Sequence, residues 1–165
     1  MKVLLKILLL ILPFVGTAQI EMVMTPQGFT PMEFATPDKP SDKLIQSAKS
    51  WAAYYNKKGY DTYDITENSL SIDGFKENAY FYRNLGETYD YHIRYKLKIV
   101  FGNDKKYALT FAVKEVYAKD VLIRTTISDF FTPSGNLKED FKEVKPSLEN
   151  TAENIVNSFV TYLQN

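Results

Sequence analysis

A strict alternation of apolar and polar residues limits what this chain can fold into more than any other feature of its sequence. Seven apolar residues stand at consecutive odd positions: Tyr89, Tyr91, Ile93, Tyr95, Leu97, Ile99 and Phe101. Polar or charged residues stand between them as far as Lys98. After Gly102-Asn103-Asp104 the odd positions are again apolar, at Tyr107, Leu109, Phe111 and Val113. Because successive side chains of a strand point to opposite faces, the pattern predicts two antiparallel strands with one apolar and one solvated face.

The turn between these two strands determines which apolar residues face each other. If the loop has an odd number of residues, with Phe101 opposite Lys105, the apolar residues pair on one face of the sheet. The pairs are then Ile99 with Tyr107, Leu97 with Leu109, and Tyr95 with Phe111. A loop of even length would place each apolar residue opposite a polar or small one. We therefore predict a three- or five-residue loop, with Gly102, Asn103 or Asp104 at positive φ.

Two other segments carry apolar residues at helical spacing. The first is predicted at about residues 42–58, with Ser41 as its N-cap and Gly59 as the residue that ends it. Its apolar stripe comprises Leu44, Ile45, Ala48, Trp51, Ala52 and Tyr55. The second helix is predicted at about residues 147–164. Its stripe comprises Leu148, Ala152, Ile155, Val156, Phe159 and Leu163.

Shorter strands complete the predicted order of elements. They are expected at residues 69–73, 77–83 and 121–128, with a short one at 63–65. Residues 19–40 contain four prolines, which exclude a helix and leave room for a first strand at 20–24 or 29–34. The order β-α-β(4–6)-α predicts an α+β domain at residues 41–165, preceded by a proline-containing lead-in. Its antiparallel sheet should carry both helices on one face.

The first 18 residues have the composition of a secretion signal. Lys2 and Lys6 form a positive start, an apolar run follows, and Gly16-Thr17-Ala18 supplies the small residues that a signal peptidase reads. The apolar run is too short to span a bilayer. We expect export to the periplasm or the extracellular space after cleavage near Ala18-Gln19, leaving a chain that is not an integral membrane protein.

The composition excludes several classes of function. The chain has no cysteine, so it has neither disulfide nor thiol chemistry. Its 20 basic and 20 acidic residues give no net charge, and no nucleic-acid partner is expected. No metal-ligand spacing, phosphate loop or nucleophile motif occurs in the sequence. We therefore expect no cofactor, no metal and no catalytic residue.

Five local features occur together in this sequence: Thr17-Ala18-Gln19, the helix start Ser41-Asp42-Lys43-Leu44 with Trp51 inside the helix, residues 68–74, Asp104-Lys105-Lys106-Tyr107, and the C-terminal helix. In this combination the sequence resembles a family of secreted bacterial domains of unknown function that adopt the TATA-binding-protein-like (TBP-like) fold. The resemblance covers roughly residues 28–165. It implies the same element order and no known activity, so no functional residue is carried over. The order is also similar to helix-grip lipid-binding folds.

One candidate interaction surface lies on the polar side of the alternating strands. His92, Arg94, Lys96 and Lys98 share a strand face, and Lys114 on the next strand extends it. Such a basic stripe indicates either an anion- or partner-binding surface or an ordinary solvated sheet face.

Glu115 marks a second candidate site. It occupies an odd position, so the alternation directs it to the apolar side, where an unpaired carboxylate is costly. Three explanations remain open: a bulge in the strand, the end of the sheet, or a cavity. In the third case Tyr95, Phe111 and Phe159 would line the cavity together with Glu115.

Two hypotheses about function follow. The first is an exported, non-enzymatic binding or accessory domain that uses an exposed sheet face, with an envelope protein or a polysaccharide as partner. The alternative is a helix-grip carrier of a small apolar ligand. Large aromatic residues at nearly every inward position favour a filled core and hence the first hypothesis.

Overall fold

The structure is a computed structural model that describes residues 20–165. The predicted secretion signal at residues 1–18 lies outside the described residues. The described residues form eight strands: β1 (Met24–Thr25), β2 (Gly28–Phe29), β3 (Met32–Ala35), β4 (Tyr60–Tyr63), β5 (Ser69–Asn84), β6 (Glu87–Phe101), β7 (Lys106–Ala118) and β8 (Val121–Ile123). The helices are α1 (Ser41–Tyr55) and α2 (Val144–Gln164), with 3₁₀ turns at Ile127–Phe130 and Glu139–Phe141.

Six of the strands form one antiparallel sheet. The order across the sheet is β3-β7-β6-β5-β4, and β8 pairs with the end of β7 that β3 leaves free. Strands β1 and β2 form a separate small hairpin. Both helices pack on the apolar face of the large sheet, where the odd-numbered residues of β6 from Ile93 to Phe101 are buried. The predicted fold class, an α+β domain with two helices on one sheet face, is confirmed.

The helices differ from their predicted limits at the ends. Helix α1 ends at Tyr55, three residues early, because Asn56 caps it with bonds from both its backbone N–H and its side-chain amide to Ala52 O. Ser41 is its first helical residue and not its N-cap, which is Pro40. Helix α2 begins at Val144. Pro146 is tolerated in its first turn because an N–H there has no intrahelical partner.

The β6–β7 hairpin has the predicted odd loop but a different register. Phe101 pairs with Tyr107 and Ile99 with Leu109, two residues away from the expected partners. A shift by two keeps the same residues on the apolar face. Lys105, with φ 59°, takes the positive φ, whereas Gly102, Asn103 and Asp104, for which it was predicted, do not. A Cβ at Gly102 would lie 2.6 Å from Asp104 Oδ1 and 3.1 Å from the backbone oxygen of Lys106.

The described part of the predicted lead-in, residues 20–40, belongs to the domain itself. Strand β3 pairs with β7 over Met32–Ala35. Four apolar residues of the segment are buried: Ile20, Met22, Met24 and Phe29. Glu153 and Glu149 of α2 accept hydrogen bonds from the backbone N–H groups of Met22 and Met24, at 3.1 and 2.8 Å. The domain therefore does not begin at residue 41 but includes the segment before it.

The remaining predicted strands also change in extent. Residues 69–73 and 77–83 lie on the single long strand β5. The strand predicted at 63–65 is β4, which lies earlier, and the one predicted at 121–128 stops at Ile123. Strand β5 continues through an irregular stretch in which Lys76 pairs with Ile93 and Tyr80 with Tyr91. Thr151 Oγ1 of α2 holds this bulge by donating a 2.6 Å hydrogen bond to Ala79 O.

A buried polar pair lies where α1, β5 and β6 meet. The Tyr95 hydroxyl donates a 2.6 Å hydrogen bond to Asn56 Oδ1, and both residues are buried. Gly74 lies directly against them. A Cβ at this position would overlap Asn56 Oδ1 and lie 2.6 Å from the Tyr95 hydroxyl. The end of α1 is thus tied to the centre of the sheet.

Candidate functional site

The five residues of the predicted basic stripe lie on the sheet face that points away from the helices. His92, Arg94, Lys96 and Lys98 alternate along β6 with buried residues, and Lys114 lies beside them on β7. The structure therefore brings together all five residues that the sequence grouped. Their charges, however, are largely neutralised by acidic neighbours that the sequence pattern did not reveal.

Three of the cations form ion pairs on this face. Arg94 Nε lies 2.8 Å from Glu115 Oε2, and Lys96 Nζ lies 3.7 Å from Asp64 Oδ2 and 5.0 Å from the centre of the Tyr63 ring. Lys114 Nζ lies 2.5 Å from Asp73 Oδ2, and this hydrogen bond raises the pKa of Lys114. Among residues 20–165, Lys98 is the cation of this set that forms no ion pair. Opposite charges side by side leave little field to attract an anion.

His92 is also engaged within the protein. Its Nδ1 accepts a 2.9 Å hydrogen bond from the backbone N–H of Asn78, a residue in the β5 bulge with φ 49°. Its ring packs against Phe75, with 6.0 Å between ring centres. The imidazole therefore supports the bulge.

Glu115 reaches the outer face because β7 bulges. Tyr95 pairs with Val113 whereas Arg94 pairs with Glu115, so Lys114 is an extra residue that reverses the alternation. Besides the bond from Arg94, Glu115 Oε2 accepts a 2.6 Å hydrogen bond from the Tyr117 hydroxyl. The Tyr117 bond and the Arg94 charge lower the pKa of Glu115. Of the three explanations for Glu115, the bulge is the one that the structure contains.

The cavity that Glu115, Tyr95, Phe111 and Phe159 were expected to line in the alternative prediction is therefore not formed. Glu115 lies on the opposite face of the sheet, and the three aromatic residues are buried in contact with other rings. Tyr95 stacks on Phe111 with 5.5 Å between ring centres, and Phe159 meets Trp51 edge-on at 5.2 Å. The space between sheet and helices is filled at this point.

An open cleft exists instead at the far end of the same apolar face, and we call it the aromatic cleft. It has a volume of about 300 Å³. Its walls consist of three tyrosines from β5 and β6, two phenylalanines from the 3₁₀ turns, and three smaller residues: Tyr80, Tyr82, Tyr91, Phe130, Phe141, Ile123, Thr125 and Val144.

Stacked rings give the cleft its shape. Tyr80 and Tyr91 lie parallel across the two strands, with 4.9 Å between their centres. Phe130 and Phe141 stack at 4.7 Å, and Phe141 lies 6.1 Å from Tyr82. Burial raises the pKa of Tyr80 well above its usual value. The wall of the cleft is thus mostly apolar and is built largely from aromatic rings.

The cleft exists because the sheet is longer than the helices. Strand β5 has 16 residues and extends about 50 Å, whereas the 21 residues of α2 extend about 30 Å. Helix α2 begins at Val144, which lies in the cleft wall. Beyond it, Phe130 and Phe141 of the two 3₁₀ turns lie against Tyr80 and Tyr82 on the apolar face. The sequence indicates the tyrosines near the cleft, because Tyr80, Tyr82, Tyr89 and Tyr91 alternate with other residues. It does not indicate where the helices and 3₁₀ turns that cover this face lie.

No triad of histidine, aspartate or glutamate that could hold a metal ion occurs within residues 20–165. In the same part of the chain, no helix is both long and apolar enough to cross a bilayer.

Two solved structures resemble this fold. One is a TBP-like protein from Parabacteroides distasonis ATCC 8503, with a TM-score of 0.59 and 14% sequence identity over 82% of this chain and 92% of that chain. The other is a DUF4468 family protein from Bacteroides ovatus ATCC 8483, with a TM-score of 0.55 and 9% identity over 82% of this chain and 85% of that chain. No protein-family profile and no curated protein matches the sequence.

These likenesses define the fold. The chain has the TBP-like architecture, and its structural neighbours are bacterial proteins that include a family of unknown function. The resemblance inferred from the sequence is confirmed at this level. At 14% and 9% identity the neighbours carry no information on ligands.

Proposed function

We propose that this protein is an exported, non-enzymatic binding domain whose ligand enters the aromatic cleft. The cleft is the observation that carries this proposal: a concave, ring-lined surface of about 300 Å³, at the lower end of the usual size of ligand sites. Its lining offers hydroxyl groups from three tyrosines and Thr125 but no carboxylate, imidazole or thiol. That combination suits the recognition of a group and does not supply an acid–base pair.

The chemistry of the lining favours a compact apolar or aromatic group. Flat rings contribute dispersion and edge-to-face contacts, and the tyrosine hydroxyls can orient one polar atom of the ligand. The volume admits one or two rings or a branched aliphatic side chain, and not a long lipid. The outer sheet face is a weaker candidate, because Arg94, Lys96 and Lys114 already have acidic partners.

The helix-grip carrier is disfavoured for a related reason. A carrier of that kind holds its ligand between the sheet and the C-terminal helix. Here that space is occupied by Tyr95, Phe111 and Phe159, which are all buried.

The cleft can be tested with p-cresol, which has the shape of a tyrosine side chain. In ¹H–¹⁵N NMR titrations we expect saturable shifts of the backbone amides around Tyr80, Tyr91 and Thr125. The Tyr82→Ser variant removes one wall and should weaken binding at least tenfold. Tyr60→Ser, which removes an exposed tyrosine from β4 outside the cleft, is the matched control. Shifts that are absent, or equal in both variants, would contradict the proposal.

Export has its own test. The full chain produced in a secreting bacterial host should appear outside the cytoplasm with an intact mass that lacks residues 1–18. The predicted positive, apolar and small-residue regions of the signal support this outcome. An unprocessed mass in the cytoplasm would refute the export part of the proposal and leave the cleft unaffected.

A further inference from the structure

The hairpin that joins β5 and β6 ends in an unusual residue. Leu85 and Gly86 form its two-residue turn, with φ of 49° and 83°, and such turns favour Asn-Gly. A leucine at positive φ is strained. Its side chain is 97% exposed, so no packing within the fold offsets this cost. An outlier of this kind points to a role outside the folded monomer.

The turn lies at the end of a projecting arm. The last residue of β6 that pairs with β7 is Tyr91, opposite Ala118, so no strand flanks β6 beyond this point. Tyr82 packs against Phe141 and Arg83 pairs with Glu143 at the base of the arm, and the turn itself projects beyond them. One face of this arm carries the cross-strand pairs Tyr80–Tyr91 and Tyr82–Tyr89, and Tyr89 is 45% exposed. Leu85 lies three residues beyond Tyr82, about 10 Å from the aromatic cleft. The exposed Leu85 and the open aromatic cleft therefore lie on the same β5–β6 hairpin.

We propose that the aromatic cleft takes Leu85 of a second copy of this chain, so that two arms exchange their tips in a two-fold dimer. The proposal rests on the proposed function of the cleft and names its occupant. In this dimer the β5–β6 hairpins of the two copies run in opposite directions, with their tyrosine faces toward each other. Each turn then lies over the aromatic cleft of the other copy. The contact is self-complementary, as a two-fold interface requires.

The charged residues near the tip of the arm and near the aromatic cleft include one pair of opposite sign. Glu87 is exposed beside the tip, where its carboxylate accepts a 2.5 Å hydrogen bond from the Tyr89 hydroxyl. Arg124 is exposed and lies in the sequence between Ile123 and Thr125, which both line the cleft. Within the part of the chain that the structure describes, neither residue forms an ion pair. Exchange of the tips brings each Glu87 toward the Arg124 of the other copy, and this pair occurs twice. The charge at the same end of the molecule is mixed in sign, which does not suit binding to an anionic lipid surface. The other charged residues there are Arg83, Lys119, Asp90 and Asp120.

The experiment is sedimentation velocity of the protein without the predicted signal, residues 19–165, from about 1 to 500 μM, with native mass spectrometry of the same samples. The wild type should convert from monomer to dimer in this range. Leu85→Asn should remain monomeric, with a melting temperature at low concentration that is equal to or above that of the wild type, because Asn-Gly suits the turn. Leu122→Asn, an exposed apolar residue of β8 at the same end, should dimerise as the wild type does.

Charge reversal supplies the second arm of the test. Glu87→Arg and Arg124→Glu should each weaken dimerisation at least tenfold, and the double variant should restore it. A wild type that stays monomeric to 500 μM, a Leu85→Asn variant that still dimerises, open-ended polymers, or a double variant without rescue would each overturn the proposal.

Titration with p-cresol separates this inference from the proposed function. If the dimer forms through the cleft, p-cresol should dissociate it. A monomeric protein whose cleft binds p-cresol would overturn the dimer and leave the proposed function intact. A monomer that does not bind p-cresol would overturn both.

Discussion

The two halves of the β5–β6 ribbon have similar side-chain patterns but different environments. In the half under the helices, Tyr95 is fully buried, stacks on Phe111 and donates its hydroxyl hydrogen to Asn56. In the half beyond the β5 bulge, Tyr82 and Tyr91 point to the same face but remain partly open to solvent in the aromatic cleft. Along β6 the alternation of apolar and polar residues is the same in both halves. The element that lies over the ribbon decides whether a tyrosine becomes core or binding surface.

The contrast also separates two uses of irregular backbone. The β7 bulge at Lys114 turns Glu115 outward and leaves the core continuous. The β5 bulge, held by Thr151, lies where the covered half of the ribbon gives way to the free arm. Both bulges therefore lie at boundaries of the packed core, where β-bulges redirect side chains without loss of the sheet.

The largest expected effect comes from comparing one ring in each half. Phe159→Ala removes a fully buried ring that contacts Trp51 and should lower the free energy of unfolding by about 4 kcal/mol. Tyr82→Ala removes a half-exposed ring from the cleft wall and should cost less than about 1 kcal/mol. Urea unfolding at neutral pH and low protein concentration measures both changes. Equal losses would show that the two halves do not differ as described.

A smaller effect is expected where the sheet meets the end of α1. The methyl group in Gly74→Ala would overlap Asn56 Oδ1 and crowd the Tyr95 hydroxyl, at a cost of about 2–3 kcal/mol. Gly86→Ala, in the turn of the arm, has open space around its new methyl group, and its cost comes from φ alone. If Gly74→Ala unfolds at the same urea concentration as the wild type, the described difference between the crowded Gly74 site and the open Gly86 site is wrong.

Two buried tyrosines of the packed half provide a matched pair. Tyr95→Phe leaves Asn56 Oδ1 without its donor and should cost about 1–2 kcal/mol. The hydroxyl of Tyr107 is buried without a partner among residues 20–165, so Tyr107→Phe should be neutral or stabilising by up to about 1 kcal/mol. Thermal and urea unfolding of both variants decide the point. A loss of stability in Tyr107→Phe that matches Tyr95→Phe would contradict the hydrogen-bond assignment.

The smallest effect is expected on the outer face. Glu115→Gln weakens the pair with Arg94, and because both residues are exposed to solvent the loss at pH 7 should be at most about 0.5 kcal/mol. The hydrogen bond from Tyr117 and the charge of Arg94 lower the pKa of Glu115 below its usual value in the folded protein. The contribution of the carboxylate is therefore present above the pKa of the unfolded chain and is lost as the pH falls through the folded pKa. Urea unfolding at several pH values should show the difference between wild type and variant disappear in acid.

The sequence by itself determined the face of nearly every residue in the central hairpin. The period-two pattern assigned Ile93, Tyr95, Leu97 and Ile99 to the core, because the pleat of a strand imposes that alternation whatever lies nearby. The helical stripes similarly identified both helices and the face that each one buries. These properties depend on local geometry alone, so they can be read from one chain.

Tertiary structure decided where that regularity stops and what the exposed residues do. The pairing shift in the β6–β7 hairpin, the bulge at Lys114 and the partners of Arg94 and Lys96 depend on neighbours distant in the sequence. The end of α1 followed from a cap at Asn56 whose amide oxygen is held by Tyr95. The aromatic cleft depends on where α2 begins relative to the end of the arm. Local pattern sets the direction of a side chain, but only the packed fold sets what covers it.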